Sequence, residues 1–203
     1  MTSTTYSDHY FARRASSPLF EWEATCLAAE LSDKRVLEVG CGSGELSRRL
    51  VRSGSRTYTT SDVVRQTGGH PDVLCSADAL PFPPAHFDIV LSQHVVEHLE
   101  EPDRFLREAS RVLVPEGKVR FTTPNPAYPN PAIFEDPSHV SLHPIDWWTE
   151  ALRRCGFRVT RATTYFPYLG HSYLLYTSAR LTRATRRGVR RGAVIFVEGS
   201  LLS

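Results

Sequence analysis

The stretch VLEVGCGSGELSRRL, from Val36 to Leu50, decides the fold of this chain of 203 residues. Its first residues are apolar and typical of a buried strand, three alternating glycines follow, and leucines at helical spacing end it. Glycine is favoured where the backbone takes a positive φ, and where a ligand must approach the main chain closely. The stretch therefore predicts a strand, a tight turn and a helix, with a ligand bound over the turn.

Two kinds of ligand site use such a turn, and the glycine spacing distinguishes them. Dinucleotide sites favour G-x-G-x-x-G, with the pyrophosphate at the helix N-terminus. Here Glu45 stands where that pattern requires its third glycine, because Gly44 comes one residue early, and the acidic Glu38 precedes the turn. The segment E-V-G-C-G-S-G, from Glu38 to Gly44, resembles the first motif of the class I S-adenosylmethionine-dependent methyltransferases.

Two further acidic residues stand where the same ligand would need them. Asp62 ends TYTTSD, predicted as the second strand, roughly 20 positions beyond the glycines, where a carboxylate can accept hydrogen bonds from ribose hydroxyls. A turn residue that only ends the strand is the alternative interpretation of Asp62. The segment ADALPF resembles the adenine-binding segment of the family, which implies that Asp78 contacts the adenine amino group and the amide of Ala79 a ring nitrogen.

The rest of the chain keeps this resemblance in the correct order. The segments F-D-I-V, E-H-L, F-L-R-E-A-S-R-V-L-V-P-E-G and T-P-N-P resemble the small-molecule branch of these methyltransferases, known as type 11 or type 23 domains. The resemblance implies a Rossmann-like α/β fold: a seven-stranded, mostly parallel sheet with helices on both faces and an antiparallel final pair of strands. It also implies S-adenosylmethionine as cofactor and S-adenosylhomocysteine as product, bound by Glu38, Gly40, Cys41, Gly42, Gly44, Asp62, Asp78, Ala79 and Gln93.

The length of the chain predicts one domain over residues 1–203. Within it we expect an N-terminal lid and helix at residues 1–31, a proline-rich substrate loop at 124–144 and a variable insertion at 167–192. Loops at the carboxyl ends of parallel strands surround the ligand crevice, so the proline-rich loop is expected to border the substrate pocket.

Composition bounds the location and the partners. The 41% of hydrophobic and 23% of charged residues are ordinary for a soluble globular protein. The four cysteines form no C-x-x-C pair and no apolar run approaches the ~18 residues of a membrane span, so we expect a cytoplasmic protein without a membrane partner. The arginine-rich segment from Arg180 to Arg191 is either a solvated helix face or a surface for an acidic partner. No RNA-binding module is visible, so a nucleic acid partner is not expected.

Methyl transfer in this family defines what the remaining residues must do. The sulfonium of the cofactor already makes the methyl group electrophilic, so the enzyme must mainly place a nucleophile in line and exclude water. A hydroxyl nucleophile also needs a base, and histidine suits that role at neutral pH. The candidates are His94 after the fourth strand and His139 and His143 in the loop, and we prefer His139 or His94.

A metal-assisted mechanism is an alternative. His94, Glu97 and His98 spell H-x-x-E-H, which also occurs in zinc peptidases, although the surrounding motifs argue against a peptidase. Metal-assisted methyltransferases that act on small RNAs or quinone precursors have the similar E-x-x-E-H and a later histidine, for which this chain offers His139. We expect no metal, because Glu97 and His98 can be purely structural. An ion held by all four residues would be zinc, iron or nickel rather than magnesium, because histidine replaces the first glutamate.

The sequence therefore predicts an enzyme that transfers a methyl group from S-adenosylmethionine to a small molecule. The expected acceptor atom is a hydroxyl or carboxyl oxygen, with a histidine as general base. Three alternatives stay open: a cofactor-binding protein that catalyses a non-methylating step such as cyclisation, one that acts only as a partner, and metal-assisted methylation of RNA.

Overall fold

The computed structural model describes residues 18–66, 71–128, 130–165 and 193–203, which form one seven-stranded sheet in the order β3-β2-β1-β4-β5-β7-β6. All neighbouring strands are parallel except β7, which runs antiparallel to both β5 and β6. This confirms the predicted fold class. The strands are β1 (Arg35–Val39), β2 (Thr57–Asp62), β3 (Val73–Leu74), β4 (Phe87–Gln93), β5 (Leu113–Pro124), β6 (Phe157–Tyr165) and β7 (Val194–Leu201).

Helices pack on both faces of the sheet, because successive residues of its central strands point to opposite sides. On one face Val36 and Ile89 pack with α1 and α2, and on the other Leu37 and Val90 pack with α3 and α5 around Trp148. The described helices are α1 (Pro18–Leu27), α2 (Glu45–Leu50), α3 (Pro102–Val112), α4 (Ala132–Glu135) and α5 (Ile145–Arg154). None of these is long and apolar enough to cross a membrane.

The strand order creates a crevice beside the glycine turn. From β1 the chain moves outward to β2 and β3 and then returns to form β4 on the other side of β1. Ligands of open α/β sheets bind at such a reversal, outside the carboxyl ends of the strands. Val39 is in register with Ser61 of β2 and with Ser92 of β4, so the residues that follow these three strands meet at one edge of the sheet.

Two element boundaries and one loop differ from the sequence-based expectation. The first helix ends at Leu27 rather than Leu31, because a turn follows in which Glu30 takes a left-handed φ of 58°. The stretch KVRFTTPNP predicts a fifth strand that starts at Lys118. Strand β5 instead starts at Leu113, because Leu113 already pairs with Phe87 before the register shifts. The proline-rich loop contains the one-turn helix α4, which Pro131 precedes. A helix tolerates proline at its start, because the missing N–H would have no intrahelical partner there.

Two predicted features lie outside the described residues. They are residues 1–17 of the N-terminal lid and the whole variable insertion at 167–192. The acidic partner of the Arg180 to Arg191 segment therefore stays a prediction.

A buried arginine ties α1 to the sheet. The side chain of Arg120 on β5 is fully buried, and its Nε donates to Oε2 of Glu198 on β7 at 2.6 Å. Its Nη1 donates to the carbonyl oxygens of Leu27, at 3.1 Å, and Ala29. Arg120 thus supplies donors to carbonyls at the C-terminal end of α1, which a helix leaves without intrahelical partners.

Replacing Arg120 by methionine should destabilise the fold by about 3–5 kcal/mol, because Glu198 would keep a largely buried charge without its cationic partner. Urea unfolding of Arg120→Met measures this loss. The matched control is Arg158→Met, whose exposed guanidinium lies 3.7 Å from Glu116 and should change the stability by about 0.5 kcal/mol or less. Equal losses in the two variants would contradict the anchoring role of Arg120.

Candidate functional site

The glycine turn has the conformation that its sequence predicts. Gly40, Gly42 and Gly44 have φ values of 76°, 54° and 80°, in the left-handed region that side chains disfavour. A Cβ atom on Gly40 would lie 2.1 Å from Cγ2 of Val95, so the loop after β4 packs directly on the turn. The buried Cys41 lies inside this turn, and burial raises the pKa of its thiol to about 12.

The end of β2 holds this turn in place. The carbonyl oxygen of Ser61 accepts hydrogen bonds from the amides of Gly40, at 2.8 Å, and Cys41, at 3.0 Å. The carboxylate of Asp62 accepts one from the Gly42 amide at 2.8 Å and another from the Val64 amide at 3.1 Å. Asp62 thus lies beside the turn, as the spacing predicts, and also organises it. An ionised carboxylate has about four acceptor positions, so it can still accept bonds from a ligand.

Glu38 lies at the end of β1 with almost no exposure to solvent. Its Oε2 accepts a hydrogen bond from the hydroxyl of Tyr58 on β2 at 2.8 Å. Burial raises the pKa of the Glu38 carboxyl to about 8, more than the Tyr58 hydrogen bond lowers it. Glu38 is therefore mainly protonated at neutral pH. Tyr58 was not among the residues predicted from the sequence, because it is a regularly spaced strand residue with no other signal.

The segment expected to contact adenine forms a tight turn after β3. The hydroxyl of Ser76 donates to Oδ1 of Asp78, and the amide of Ala79 donates to the carbonyl oxygen of Ser76 at 3.1 Å. Asp78 and Ala79 are thus held by Ser76. Their contacts with adenine stay a prediction.

A glutamate from α1 reaches the loop after β4. Glu23 is fully buried, and its Oε2 accepts a hydrogen bond from Nε2 of Gln93 at 2.7 Å. Its Oε1 bonds to Nε2 of His94, and Nδ1 of His94 lies 2.9 Å from Oε1 of Glu97. His94 therefore bridges two buried carboxylates. An imidazole donates to two carboxylates only when both of its nitrogens carry a proton.

Glu23 was not among the residues predicted from the sequence. It lies 70 positions from Gln93 in the chain, and its place on an apolar helix face is the only sequence signal that it is unusual. Charged residues are almost never fully buried unless they are paired.

Glu97 is fully buried and has one bonded and one unbonded oxygen. Its Oε2 has no hydrogen-bond partner among the residues that the structure describes. Burial raises the pKa of the Glu97 carboxyl, but the charge and hydrogen bond of His94 and the charge of His98 outweigh burial, so the pKa lies below its usual range. Glu97 is therefore an ionised carboxylate with an unused acceptor.

Two histidines stand beside this acceptor. Ligand atoms of Glu97, His98 and His139 all lie within 4.8 Å of one another. Nδ1 of His98 lies 3.1 Å from the carbonyl oxygen of Ser138, and Nδ1 of His139 lies 2.7 Å from that of Ile133. A carbonyl oxygen only accepts, so Nδ1 of each ring carries a proton, and in the neutral form of each ring Nε2 has the lone pair.

His143, the third predicted base, is engaged elsewhere. Its Nε2 lies 3.1 Å from the Ser141 hydroxyl, and its ring stacks on Trp147 with the centroids 3.6 Å apart. Burial lowers the pKa of the His143 imidazole, which keeps the ring neutral. The structure thus brings His94, Glu97, His98 and His139 into one group, while His143 packs against α5.

Comparisons with known proteins agree with this fold and turn. Residues 37–121 match the family described as methyltransferase domain, Methyltransf_11. A fatty-acid O-methyltransferase of Mycolicibacterium smegmatis is 35% identical over 121 residues, which cover 54% of this chain and 44% of that protein. A ubiquinone biosynthesis O-methyltransferase of Neisseria meningitidis is 29% identical over 111 residues, which cover 48% of this chain and 47% of that protein. This chain thus spans somewhat less than half the length of these two relatives.

A solved structure shows the same fold over nearly the whole chain. The crystal structure of a SAM-dependent methyltransferase from Archaeoglobus fulgidus superposes with a TM-score of 0.72. The superposition covers 95% of this chain and 100% of that chain at 19% sequence identity.

Protonation of Glu38 should make the stability depend on pH. The carboxyl titrates near 4.5 when unfolded and near 8 when folded, so between these values the native state binds a proton that the unfolded state lacks. The free energy of unfolding should therefore fall as the pH rises through this window. Glu38→Gln should remove that part of the fall, which urea unfolding at several pH values measures. The exposed control Glu135→Gln should keep it, and a Glu38→Gln profile parallel to wild type would contradict the assignment.

Proposed function

The chain belongs to the class I S-adenosylmethionine-dependent methyltransferases of the type 11 branch, and on this basis we propose that it transfers a methyl group to an oxygen of a small-molecule acceptor. The observation that carries the proposal is the glycine turn held by Asp62. It lies within the residues that match the family, at the reversal of strand order where such sheets bind ligands.

The residues around the turn fit this cofactor. The three glycines give the turn the left-handed conformation that side chains disfavour, and Asp62 offers acceptors for two ribose hydroxyls. We propose that Gln93, whose side chain is hydrogen-bonded to Glu23, contacts the cofactor from the end of β4. Asp78 and Ala79 are proposed to contact its adenine. The cofactor supplies an electrophilic methyl group when it is bound. The protein then has to orient the acceptor in line and exclude water.

Among the three candidate bases, we assign removal of the acceptor proton to His139. Its Nδ1 is bonded to the Ile133 carbonyl oxygen, so Nε2 is the nitrogen with a lone pair in the neutral ring, and Oδ2 of Asp136 lies 3.8 Å from Nε2. His94 suits a base poorly, because both of its nitrogens contact carboxylates. His143 interacts with Ser141 and stacks on Trp147, so we assign it an orienting role in the loop.

The acceptor is proposed to be a molecule with an apolar part and a carboxyl or hydroxyl oxygen. Phe134 and Val140 are more than half exposed, and they lie in the proline-rich loop on either side of His139. Relatives are named as O-methyltransferases of fatty acids and of ubiquinone biosynthesis, which supports an oxygen acceptor.

Calorimetric titration with S-adenosylhomocysteine tests the cofactor site. We expect micromolar binding by wild type and an affinity at least tenfold lower for Asp62→Ala, about 1.4 kcal/mol. The control Asp146→Ala, an exposed aspartate at the start of α5, should bind like wild type. Absence of binding to wild type would refute the proposal.

With an acceptor present, formation of one S-adenosylhomocysteine per product separates a transferase from a protein that catalyses a non-methylating step or acts only as a partner.

A second candidate is methyl transfer assisted by a divalent ion. Glu97 offers an ionised oxygen with no described partner, and His98 and His139 each have Nδ1 fixed by a carbonyl. Two histidines and one carboxylate form the ligand set of catalytic zinc sites that keep an open position. His94, which the sequence analysis included, is not a ligand in this proposal, because it contacts Glu23 and Glu97. The lone pair of His139 serves either an ion or a proton, so the two candidates exclude each other.

Zinc titration against a chromophoric chelator, with protein free of any histidine tag, decides between the divalent ion and His139 as general base. If the ion is used, wild type should bind one equivalent, and His98→Gln and His139→Gln should bind at least tenfold more weakly. The matched control His86→Gln removes an exposed histidine at the other end of β4 and should bind like wild type. If wild type takes up no zinc and a chelator leaves activity unchanged, the ion is refuted and His139 remains the base.

A further inference from the structure

Helix α1 is fixed in place independently of the crevice. Trp22 packs against Phe196 and Tyr165, with ring centroids 6.4 Å and 5.1 Å away. The next residue, Glu23, is fully buried, so its carboxylate has a position that core packing determines. Together with the Arg120 bonds at its C-terminal end, these contacts make α1 a rigid support.

The carboxylate of Glu23 binds two successive residues at the end of β4. One oxygen accepts from Gln93 at 2.7 Å, and the other contacts Nε2 of His94. A single side chain from α1 therefore sets the direction in which the chain leaves β4. It does so beside the glycine turn, because β4 pairs directly with β1, the strand that leads into the turn.

The conformation that Glu23 holds is one that histidine rarely adopts. His94 has a φ of 55°, in the left-handed region. Its amide donates to the carbonyl oxygen of Thr122 at 3.0 Å, and Nδ1 contacts Glu97 at 2.9 Å. Such a backbone conformation persists only when the surroundings hold it. The next residue, Val95, then packs on Gly40 of the turn.

We propose that Glu23 is a positioning residue for the cofactor crevice: through His94 it places the loop after β4 against the glycine turn. The proposal rests on the proposed function, because the crevice is taken to bind S-adenosylmethionine. Glu23 itself is buried beneath the crevice and acts through Gln93 and His94. The docking of α1 and the affinity for the cofactor are therefore coupled, although no part of α1 lies in the sequence segment that matches the family.

A double-mutant cycle tests this coupling. The variants are Glu23→Gln, His94→Gln and the double variant, with S-adenosylhomocysteine affinity and urea unfolding measured for each. We expect Glu23→Gln to lower the affinity about tenfold and the double variant to bind no more weakly than the weaker single variant. Two changes that act through one interaction are not additive. A role of Glu23 in helix packing alone would make the two effects add.

The control on the same helix is Glu21→Gln, which removes an exposed glutamate bonded to Arg49 and should bind like wild type. Glu23→Asp keeps the charge but shortens its reach, and an affinity between those of wild type and Glu23→Gln is expected. Wild-type affinity in Glu23→Gln, or additive effects on unfolding, would overturn the proposal. If wild type itself does not bind, the proposed function fails, and the unfolding cycle still decides whether Glu23 holds His94.

Discussion

The crevice depends on the hydrogen bonds between the turn after β1 and the end of β2. Parallel pairing of Val39 with Ser61 places the Ser61 carbonyl beside the amides of the turn, and the Asp62 carboxylate then receives the Gly42 amide. Glycines permit the left-handed conformations that these bonds need. The loop after β4 rests on the same turn through Val95. Because three strand ends meet on one short turn, a shift in any of them would change the surface offered to a ligand.

Much of the fold could be predicted because its signals are local. The apolar run, the alternating glycines and the order of the later segments identify strands and helices from neighbouring residues alone. The early start of β5 was decided by a contact distant in sequence, the pairing of Leu113 with Phe87. Glu23 was missed for the same reason. A helix pattern indicates which face is buried, but it does not identify a partner for a buried charge that lies 70 positions away in the chain.

The histidines show a property that residue type and spacing do not predict. Residue type and spacing group His94, His98 and His139 with Glu97, and the structure places these side chains close together. The chemistry of each ring depends on which nitrogen is bonded, and main-chain carbonyls of the loop decide this for His98 and His139. Every residue has a carbonyl, so its direction is set by the path of the backbone and not by a side chain that the sequence could display. Three identical residue types thus have different surroundings: His94 lies between two carboxylates, whereas His98 and His139 are each bonded to a carbonyl.

The cysteine inside the glycine turn gives the site a chemical property of its own. Thiolates, not thiols, react with electrophiles and oxidants, and burial keeps Cys41 in the thiol form at any physiological pH. Cys26 on α1 is buried and has a pKa raised to about 11, so it is protected in the same way. A turn with a sulfur atom at its centre is therefore resistant to oxidative damage as long as it stays closed. Modification of that sulfur would report the opening of the turn, which makes Cys41 a built-in reporter of the integrity of the crevice.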